Sequence, residues 1–410
     1  MRPVLHLRII ICIFDGKGVL IYPLIQHQMI YDFIIIGAGA SGLMLVDALI
    51  ADPHFSDARI LLLDKELKTQ NDRTWCFWEQ GVGKFDGIVH KSWERIHIGT
   101  GSSQLHQNIT PYTYKMVRGI DFYQEYLGRI RTHPKVDLLQ ETVLGMSDKE
   151  GVVTVVTDQG PHTGKKVFNS IFDYKILRSQ KNYPVLQQHF IGWTVTTENP
   201  VFTTDMATFM DFSVPQLGNT RFMYVLPFSE HSALVEYTLF SKTLLPETAY
   251  GVAIDSYLKT YLGSGDYTIT ERERGSIPMS CFDSNVHNHN NLLHIGLAGG
   301  WAKPSSGYTF KRSHTKTQQL LAHLKKDLPL DRFVKKDRFW FYDLLLLDIL
   351  ASHNSRGQAI FGQLFERRDP RDILKFLDEE SSIWEDIKII AACPKWDFIK
   401  ALCKRLIPFS

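Results

Sequence analysis

The sequence has few cysteines, and none of them lies in a metal-binding or redox motif. Its 410 residues contain five cysteines, an odd number scattered along the chain. A CxxC pair or a Cys/His cluster would indicate zinc binding or thiol chemistry, and neither pattern occurs. This usage predicts a reducing compartment, with the cytoplasm as the simplest choice. The five are Cys12, Cys76, Cys281, Cys393 and Cys403.

The chain also lacks an excess of charge of either sign. Lys and Arg total 46 against 44 Asp and Glu, which gives a net charge of +2. No basic stripe interleaved with aromatic residues occurs, and this argues against nucleic-acid binding. The proportions of 44% hydrophobic and 22% charged residues are ordinary for a globular protein. The length leaves room for two or three domains and a large core.

Long uninterrupted hydrophobic runs are absent as well. No apolar stretch approaches the roughly 18 residues that a membrane-spanning helix requires. Residues 1–28 contain two short apolar runs that Asp15-Gly16-Lys17-Gly18 separates, and no small-residue cleavage site follows them. A secretory signal is therefore a poor interpretation. We interpret 1–28 as an appendage, with Met29 as a natural start for the folded unit.

A glycine-rich turn after a buried strand is the first feature that indicates chemistry. Tyr31 to Ile36 predicts a buried strand, and Leu43 to Ile50 predicts a helix. Between them, Gly37-x-Gly39-x-x-Gly42 supplies the tight turn, the close backbone approach and the helix–strand packing that a bound pyrophosphate needs. The N-terminus of the helix presents free N–H groups to the anion. This spacing alone is weak evidence for a dinucleotide site.

The next strand strengthens the dinucleotide interpretation. Arg59 to Asp64 is a second apolar strand that ends in a carboxylate, 22 residues after Gly42, where a ribose hydroxyl would be held. The alternative is a glycine-bearing junction in some other α/β domain. Strand, turn, helix, strand and acid in this order favour the dinucleotide site.

A second strand-and-glycine turn lies late in the chain. His294 to Gly300 runs into an extended turn, with Gly299, Gly300 and Lys303, before a helix predicted over Lys311 to Leu324. A second backbone cradle distant in sequence suits a long cofactor that is held at two points. FAD fits that requirement better than NAD.

The pattern predicts an α/β fold in which a Rossmann-type FAD-binding domain carries an inserted β-rich domain and a helical C-terminal region. The FAD-binding domain is assigned to residues 29–180 and 271–330. The substrate-binding β-sheet domain is assigned to 181–270, where strand-like runs follow one another. Residues 331–410 are assigned to the helical region.

Two segments leave alternatives open. The run from Asn71 to Glu79 holds three aromatics, and it suits either a packed core loop or a loop folded over a flavin. Near the C-terminus, apolar residues share one helical face that lysines and an arginine flank. That face suits either a membrane surface or docking on the core, which is the commoner case. Its members are Trp396, Ile399, Leu402, Cys403 and Leu406.

From about Met29 onward the chain resembles the bacterial lycopene beta-cyclases, which are aromatic-hydroxylase-like flavoproteins. Several separate motifs carry the resemblance in order. They are the first glycine turn, Asn71-Asp72-Arg73-Thr74-Trp75-Cys76-Phe77-Trp78-Glu79, Phe222-Met223-Tyr224-Val225-Leu226-Pro227, Ala233-Leu234-Val235-Glu236-Tyr237-Thr238, Ile277-Pro278-Met279, and Ala298 to Phe310.

The resemblance implies an enzyme that binds FAD and cyclises the acyclic ends of lycopene and γ-carotene to β-ionone rings. It also implies reduced FAD without net redox change, NAD(P)H as a possible reductant, and a cytoplasmic enzyme peripherally bound to a membrane. One departure is present. Related flavin hydroxylases have Gly-Asp-Ala at the late turn, whereas this chain has Gly296-Leu297-Ala298. The missing acid suits a cyclase better than a hydroxylase.

Glu236 is the candidate acid and base. The resemblance matches it to the functional acid of the family, and its apolar neighbours predict a raised pKa. Strand alternation alone would point it to solvent, opposite Val235 and Tyr237. Arg73 and Arg118 are candidates for the FAD pyrophosphate, and Lys303 points at either flavin or water.

Aromatic rings are candidates to stabilise a carbocation. The available rings are those of Trp75, Trp78, Trp193, Tyr224, Tyr237 and Trp301. Two other functions remain open at this point. One is an FAD-dependent monooxygenase or epoxidase that acts on a hydrophobic substrate, and the other is a non-catalytic flavin- or carotenoid-binding protein.

Overall fold

The computed structural model describes residues 13–15, 18–20, 29–149, 151–262 and 265–406. Most of the predicted appendage, residues 1–28, lies outside the described residues. Its described part is a pair of short antiparallel strands. None of the helices in the described ranges combines the length and the hydrophobicity needed to cross a bilayer.

The strands fall into three larger sheets and the short N-terminal pair. They are β1 (Ile13–Asp15), β2 (Gly18–Leu20), β3 (Ile30–Ile36), β4 (Ile60–Asp64), β5 (Thr74–Gln80), β6 (Val89–Trp93), β7 (Arg95–Gly99), β8 (Gln104–Asn108), β9 (Tyr112–Arg118), β10 (Val136–Gln140), β11 (Val143–Lys149), β12 (Val152–Thr157), β13 (Gly160–Asn169), β14 (Leu186–Thr197), β15 (Met206–Asp211), β16 (Thr220–Ser229), β17 (Ser232–Ser241), β18 (Tyr267–Met279) and β19 (Leu292–His294).

The helices include five at the C-terminal end of the chain. They are α1 (Ala40–Ala51), α2 (Gly119–Thr132), α3 (Tyr174–Ser179), α4 (Glu247–Leu262), α5 (Phe310–Leu324), α6 (Arg338–Ser352), α7 (Gly357–Arg367), α8 (Pro370–Leu377), α9 (Ile383–Ala392) and α10 (Lys395–Leu406).

The first sheet is the nucleotide-binding layer that the sequence predicts. Its strand order is β10-β4-β3-β13-β12-β11, with β19 also beside β13. The strands from β10 to β13, and β19, run parallel, whereas β12 and β11 are antiparallel. Ile35 and Leu62 pack towards the helices on one face, and Ile34 and Leu61 belong to a core on the other. Coverage of both faces explains why β3 and β4 are continuous apolar runs.

The second sheet holds the candidate acid. Its order is β18-β14-β17-β16-β15-β7-β8, antiparallel except where β15 pairs with β7. It draws β7 and β8 from residues 95–108, inside the segment that the sequence assigned to the nucleotide domain. The predicted domain limits therefore stay a prediction, and this sheet extends beyond 181–270 at both ends of that range.

Helix α4 corrects the expectation of a wholly β-rich segment up to residue 270. Its buried residues Tyr250, Ile254, Tyr257 and Leu258 recur at helical spacing and pack on one face of the second sheet. The helix covers the side of β14 and β17 that carries Trp193, Val195 and Val235, among others. As a result, the centre of the second sheet is buried on both faces.

The third sheet and the C-terminal helices complete the core around the other face of the second sheet. The third sheet has the order β5-β9-β6. Its buried aromatics Trp78 and Tyr114 share a core with Phe209 of β15 and with Leu364 and Phe365 of α7. The helical region at 338–406 is thus packed against the sheets as a lid of apolar side chains.

Candidate active site

A single large cavity connects the first glycine turn with the apolar C-terminal helices. Its volume is about 740 Å³. At one end it is lined by Gly37, Gly39, Ser41, Asp64 and Gly296. The opposite end is lined by apolar side chains of α6 to α10, which include Leu346, Ile360, Phe361, Leu364, Phe365, Ile373, Phe376, Leu377, Ile389, Ile390 and Phe398. The cavity therefore combines a polar nucleotide end with a long hydrocarbon-like end.

The first glycine turn has the local geometry that its sequence predicts. Gly37 has φ +99°, which favours glycine. A Cβ on Gly42 would lie 1.9 Å from the Gly37 carbonyl oxygen, so the third glycine is required for helix packing. A Cβ on Gly39 would meet nothing within 4 Å, and no side chain caps α1 there. The N-terminus of α1 thus faces open cavity space that a phosphate can occupy.

Asp64 lies at the end of β4 and faces the same space. Its Oδ2 accepts a hydrogen bond from the Ala38 N–H at 2.6 Å, and its Oδ1 accepts one from the Glu66 N–H at 2.8 Å. Lys68 Nζ lies 3.5 Å from Asp64 Oδ2. A carboxylate has further acceptor capacity beyond these contacts. Asp64 therefore orders the turn and can still accept from a ribose hydroxyl.

The late glycine turn approaches the cavity through Gly296 rather than through Gly299 or Gly300. Gly296 and Gly300 have φ of +58° and +68°. A Cβ on Gly299 would lie 2.2 Å from the His294 carbonyl oxygen, so Gly299 serves the turn itself. The cavity is lined here by Gly296 and Leu297 and by residues 305–309.

The structure separates the three cations that the sequence grouped near the cofactor. Arg73 lines the cavity at its mouth, with Nη1 2.7 Å from the Asp72 carbonyl oxygen. Arg118 forms a bidentate pair with Asp121 at 2.7 and 2.8 Å and does not line the cavity. Lys303 is fully buried and lies 2.8 Å from Asp343 and 3.1 Å from Glu379. Lys303 thus faces neither the cavity nor water, and it ties the late turn to α6.

Glu236 lies inside the cavity and not on the outer surface. Leu234, Glu236, Thr238 and Phe240 alternate along β17 and all line the cavity. Only 8% of Glu236 is exposed. Strand alternation does direct Glu236 away from Val235, as the sequence predicts. The face that alternation assigned to solvent is covered by the third sheet and the C-terminal helices.

The surroundings of Glu236 favour its protonated form. Burial raises the pKa of this carboxyl well above its ordinary value, and the neighbouring Glu273 carboxyl raises the pKa further. The two carboxyls are hydrogen-bonded to each other. Thr238 Oγ1 donates to Glu236 Oε1. A neutral acid at physiological pH is the form needed to give a proton to an apolar substrate.

Three tyrosines form a cluster beside Glu236. Tyr224 is the cross-strand partner of Glu236 on β16, and its hydroxyl meets that of Tyr114. The Tyr114 hydroxyl also lies 2.9 Å from that of Tyr308. Burial raises the pKa of all three phenols, so they remain neutral, and burial raises the pKa of the adjacent Cys76 to about 12. This tyrosine cluster presents aromatic rings without adding charge.

Among the six aromatic candidates, only Trp75 and Tyr224 line the cavity. Trp193 and Tyr237 belong to the core under α4, on the opposite face of the sheet. The segment from Asn71 to Glu79 satisfies both predicted alternatives in part. It forms most of β5, with Trp75 and Cys76 towards the cavity and the Trp78 ring in the core.

Sequence reasoning missed Glu273, Tyr114 and Tyr308. Glu273 lies in the run Glu271-Arg272-Glu273-Arg274, whose alternating charges are typical of a solvated strand. No local signal separates Glu273 from Glu271. The two tyrosines come from β9 and from the late turn, so only the fold brings them to Glu236.

Solved structures similar to this chain are flavoproteins by their descriptions. A geranylgeranyl bacteriochlorophyll reductase-like protein from Thermoplasma acidophilum matches with a TM-score of 0.61 and 12% identity, over 92% of this chain and 99% of that one. A flavoprotein/dehydrogenase from Cytophaga hutchinsonii matches with a TM-score of 0.60 and 13% identity, over 92% and 99%. The flavin-dependent brominase Bmp2 matches with a TM-score of 0.56 and 13% identity, over 85% and 93%.

These likenesses confirm the predicted fold class, a Rossmann-type FAD-binding fold with additional sheet and helical layers. No curated protein sequence matches the chain. The family model described as lycopene cyclase protein matches residues 32–402, which is nearly the whole described chain. The match confirms the resemblance that the motifs indicated. The chain belongs to the lycopene cyclase family.

Proposed function

We propose that this protein is a lycopene beta-cyclase that closes β-ionone rings by acid–base chemistry and uses reduced FAD without net redox change. One observation carries the proposal. A buried carboxyl with a raised pKa, Glu236, lies in the same cavity as a dinucleotide-type glycine turn. An oxidative enzyme has no need of a neutral carboxylic acid beside a hydrocarbon-lined space, whereas a cyclase does.

The residues at the polar end of the cavity fit FAD. Gly37, Gly39 and the N-terminus of α1 would hold the pyrophosphate, and Asp64 would hold the ribose. Arg73 at the mouth and Gly296 at the late turn are further candidates, while Arg118, Gly299 and Gly300 support the nearby backbone. Reduced flavin would supply a negative charge near the reacting carbons, where low polarity makes that charge effective.

The proposed reaction is an isomerisation. Glu236 donates its proton to the terminal alkene of an acyclic end, and a neighbouring double bond attacks the resulting carbocation to close the ring. Loss of one proton from the ring carbon then forms the product alkene, so no electron leaves the substrate. The faces of Tyr224 and Trp75 would stabilise the cation, each by about 1–2 kcal/mol when desolvated. The apolar helices α6 to α10 would hold the polyene and exclude water.

Product analysis in cells that accumulate lycopene tests this function. We expect the wild-type chain to convert lycopene, through γ-carotene, into ring-containing hydrocarbons without added oxygen. Oxygenated polyene would instead support a flavin monooxygenase or epoxidase, and unchanged lycopene would support a non-catalytic binding protein. Either of these outcomes contradicts the proposal.

We expect chemically reduced FAD to sustain ring formation in the absence of nicotinamide and oxygen. NAD(P)H would act only to reduce the flavin, because the product is an isomer of the substrate. The measurement compares product formed with NAD(P)H and O2 consumed by purified protein. Consumption of either one in equal amounts to product would contradict non-redox cyclisation.

An exposed apolar surface on α9 and α10 is the proposed membrane-docking face. Trp384 and Trp396 are 77% and 75% exposed, and Ile383, Ile387, Ile399 and Leu406 lie exposed on the same two helices. Exposed lysines at 388, 395, 400 and 404 flank them. The inward sides of these helices line the cavity through Ile389 and Phe398. A membrane on this face would be close to the apolar end of the cavity.

Changing Trp384 and Trp396 together to glutamate should reduce binding to anionic phospholipid vesicles about tenfold or more, since each indole removes up to about 2 kcal/mol of apolar burial. Vesicle co-sedimentation is the measurement. The control changes Val252 and Val286, which are exposed elsewhere, to glutamate and adds the same charge. Equal binding by both double variants would exclude this face.

A further inference from the structure

Gly192 separates two glutamates in one row across the second sheet. On β14, Gly192 is the register partner of Glu236 on β17 and also of Glu273 on β18. Directly opposed residues of antiparallel strands project from the same face. The outer strands are about 10 Å apart, which is twice the usual spacing. Two glutamate side chains can meet across that distance only if the central position leaves room.

The absence of a side chain at Gly192 provides that room. A Cβ on Gly192 would lie 3.1 Å from Glu273 Cγ and 3.0 Å from Leu234 Cδ1. The Glu273 side chain therefore extends over the central strand towards Glu236, to which its carboxyl is hydrogen-bonded. Any larger residue would occupy part of this path.

The hydrogen bonds around the pair distinguish the two carboxyls. Thr74 Oγ1, from β5, donates to Glu273 Oε2 at 2.7 Å. Thr238 Oγ1 donates to Glu236 Oε1, which leaves Oε2 of Glu236 for the contact with Glu273. A hydrogen bond between two carboxyls needs one proton. Glu236 is the more deeply buried partner, so it carries the proton while Glu273 accepts.

We propose that Glu236 and Glu273 share a single proton across Gly192, and that Glu273 is a positioning residue that keeps this proton on Glu236 at neutral pH. The idea deepens the proposed function, on which its activity readout rests. Donation of the proton to substrate leaves two adjacent carboxylates. Their repulsion favours recapture of one proton, which resets the pair for the next ring.

The remaining charged and titratable groups around the pair modulate this balance. Arg73, from the segment before β5, favours the ionised form of Glu273, and Glu271 on β18 weakly opposes that form. Tyr308 and Cys76 face Glu236 as neutral groups with raised pKa. Burial and the Glu273 charge thus raise the pKa of Glu236, in that order.

Glu273→Gln tests the shared proton through the pH profile. Activity that requires protonated Glu236 is present below the pKa of Glu236 and is lost as pH rises through it. Removal of the Glu273 charge should lower that pKa, so the alkaline limit of ring formation should fall by about one pH unit or more. Glu271→Gln removes the same charge from an exposed position on the same strand and should leave the limit unchanged. Equal limits for wild type and Glu273→Gln would overturn the proposal.

A spectroscopic measurement separates this idea from the proposed function. The carboxylic-acid stretching band of Glu236, identified by its loss in Glu236→Gln, can be titrated by infrared difference spectroscopy without substrate. In Glu273→Gln the band should disappear about one pH unit or more below its wild-type limit. A band that titrates as in wild type would contradict the pair even if rings form. A shifted band without ring formation would retain the pair and contradict the cyclase.

Gly192→Ala offers a second, independent test of the gap. The added methyl should displace the Glu273 side chain and lower the same alkaline limit, as Glu273→Gln does. Gly145→Ala, where a Cβ would meet nothing within 4 Å, is the matched control. An unchanged infrared band in folded Gly192→Ala would contradict the role of the gap.

Discussion

Glu236→Gln is expected to abolish ring formation while the protein still folds and binds FAD. Glutamine has nearly the same shape, but it cannot supply the proton that the alkene needs. Loss of a general acid lowers rates by about 10²–10⁴-fold. The effect should be large here because Glu236 is the protonated carboxyl among the cavity-lining residues closest to the tyrosine cluster.

The experiment compares ring formation and flavin content of Glu236→Gln with those of wild type. Glu230→Gln, at an exposed position after β16, is the matched control and should behave as wild type. Retained flavin absorbance would show that the fold and the cofactor site are intact. Turnover like that of wild type in Glu236→Gln would remove this residue from the proposed mechanism.

Gly42→Ala and Gly39→Ala should fail for different reasons. An alanine Cβ at Gly42 would lie 1.9 Å from the Gly37 carbonyl oxygen, a backbone atom that cannot move without opening the turn. The usual gain of about 1 kcal/mol for alanine over glycine in a helix is smaller than this clash. We expect Gly42→Ala to destabilise the protein by about 3 kcal/mol or more.

Gly39→Ala should leave the polypeptide itself nearly as stable as wild type. Its φ of −81° suits alanine, and a Cβ there would enter open cavity space. The methyl should instead obstruct the pyrophosphate, so FAD affinity should fall. Thermal unfolding with and without added FAD separates the two variants. Strong FAD stabilisation of Gly39→Ala would contradict the assignment of this turn to the cofactor.

The position of Glu236 illustrates how an apolar environment changes the role of a common residue. A carboxyl on a strand is ordinarily solvated and ionised. In this chain α4 covers one face of β17, and the cavity with its apolar walls covers the other. Desolvation then favours the neutral acid. The acid strength needed for catalysis therefore depends on the packing of residues far from Glu236 in the chain.

Parts of the fold were predictable because their causes are local. The run from Tyr31 to Asp64 predicts strand, turn, helix and strand from hydrophobicity and three glycines, and the structure contains these elements at β3, α1 and β4. Helix α4 was missed because the surrounding strands dominated the pattern. Its own helical periodicity, from Tyr250 to Leu258, was the available signal.

Other features were beyond sequence reasoning because charge and turn patterns do not report partners. Lys303 was assigned to flavin or water, but two acids from α6 and the α8–α9 connection neutralise it in the core. Glu273 has the sequence context of a solvent-exposed residue. Its contact with Glu236 depends on a strand register that three separate segments set together.

The sequence by itself determined the dinucleotide turn, the family and Glu236 as the candidate acid, since motifs and hydrophobic periods are encoded within short segments. Only the tertiary structure decided that Glu236 is buried, that Glu273 is its partner and that α9 and α10 leave an apolar face exposed. Burial and pairing are set by which distant segments pack together. A proton's affinity for a carboxyl responds to that packing and not to neighbours along the chain.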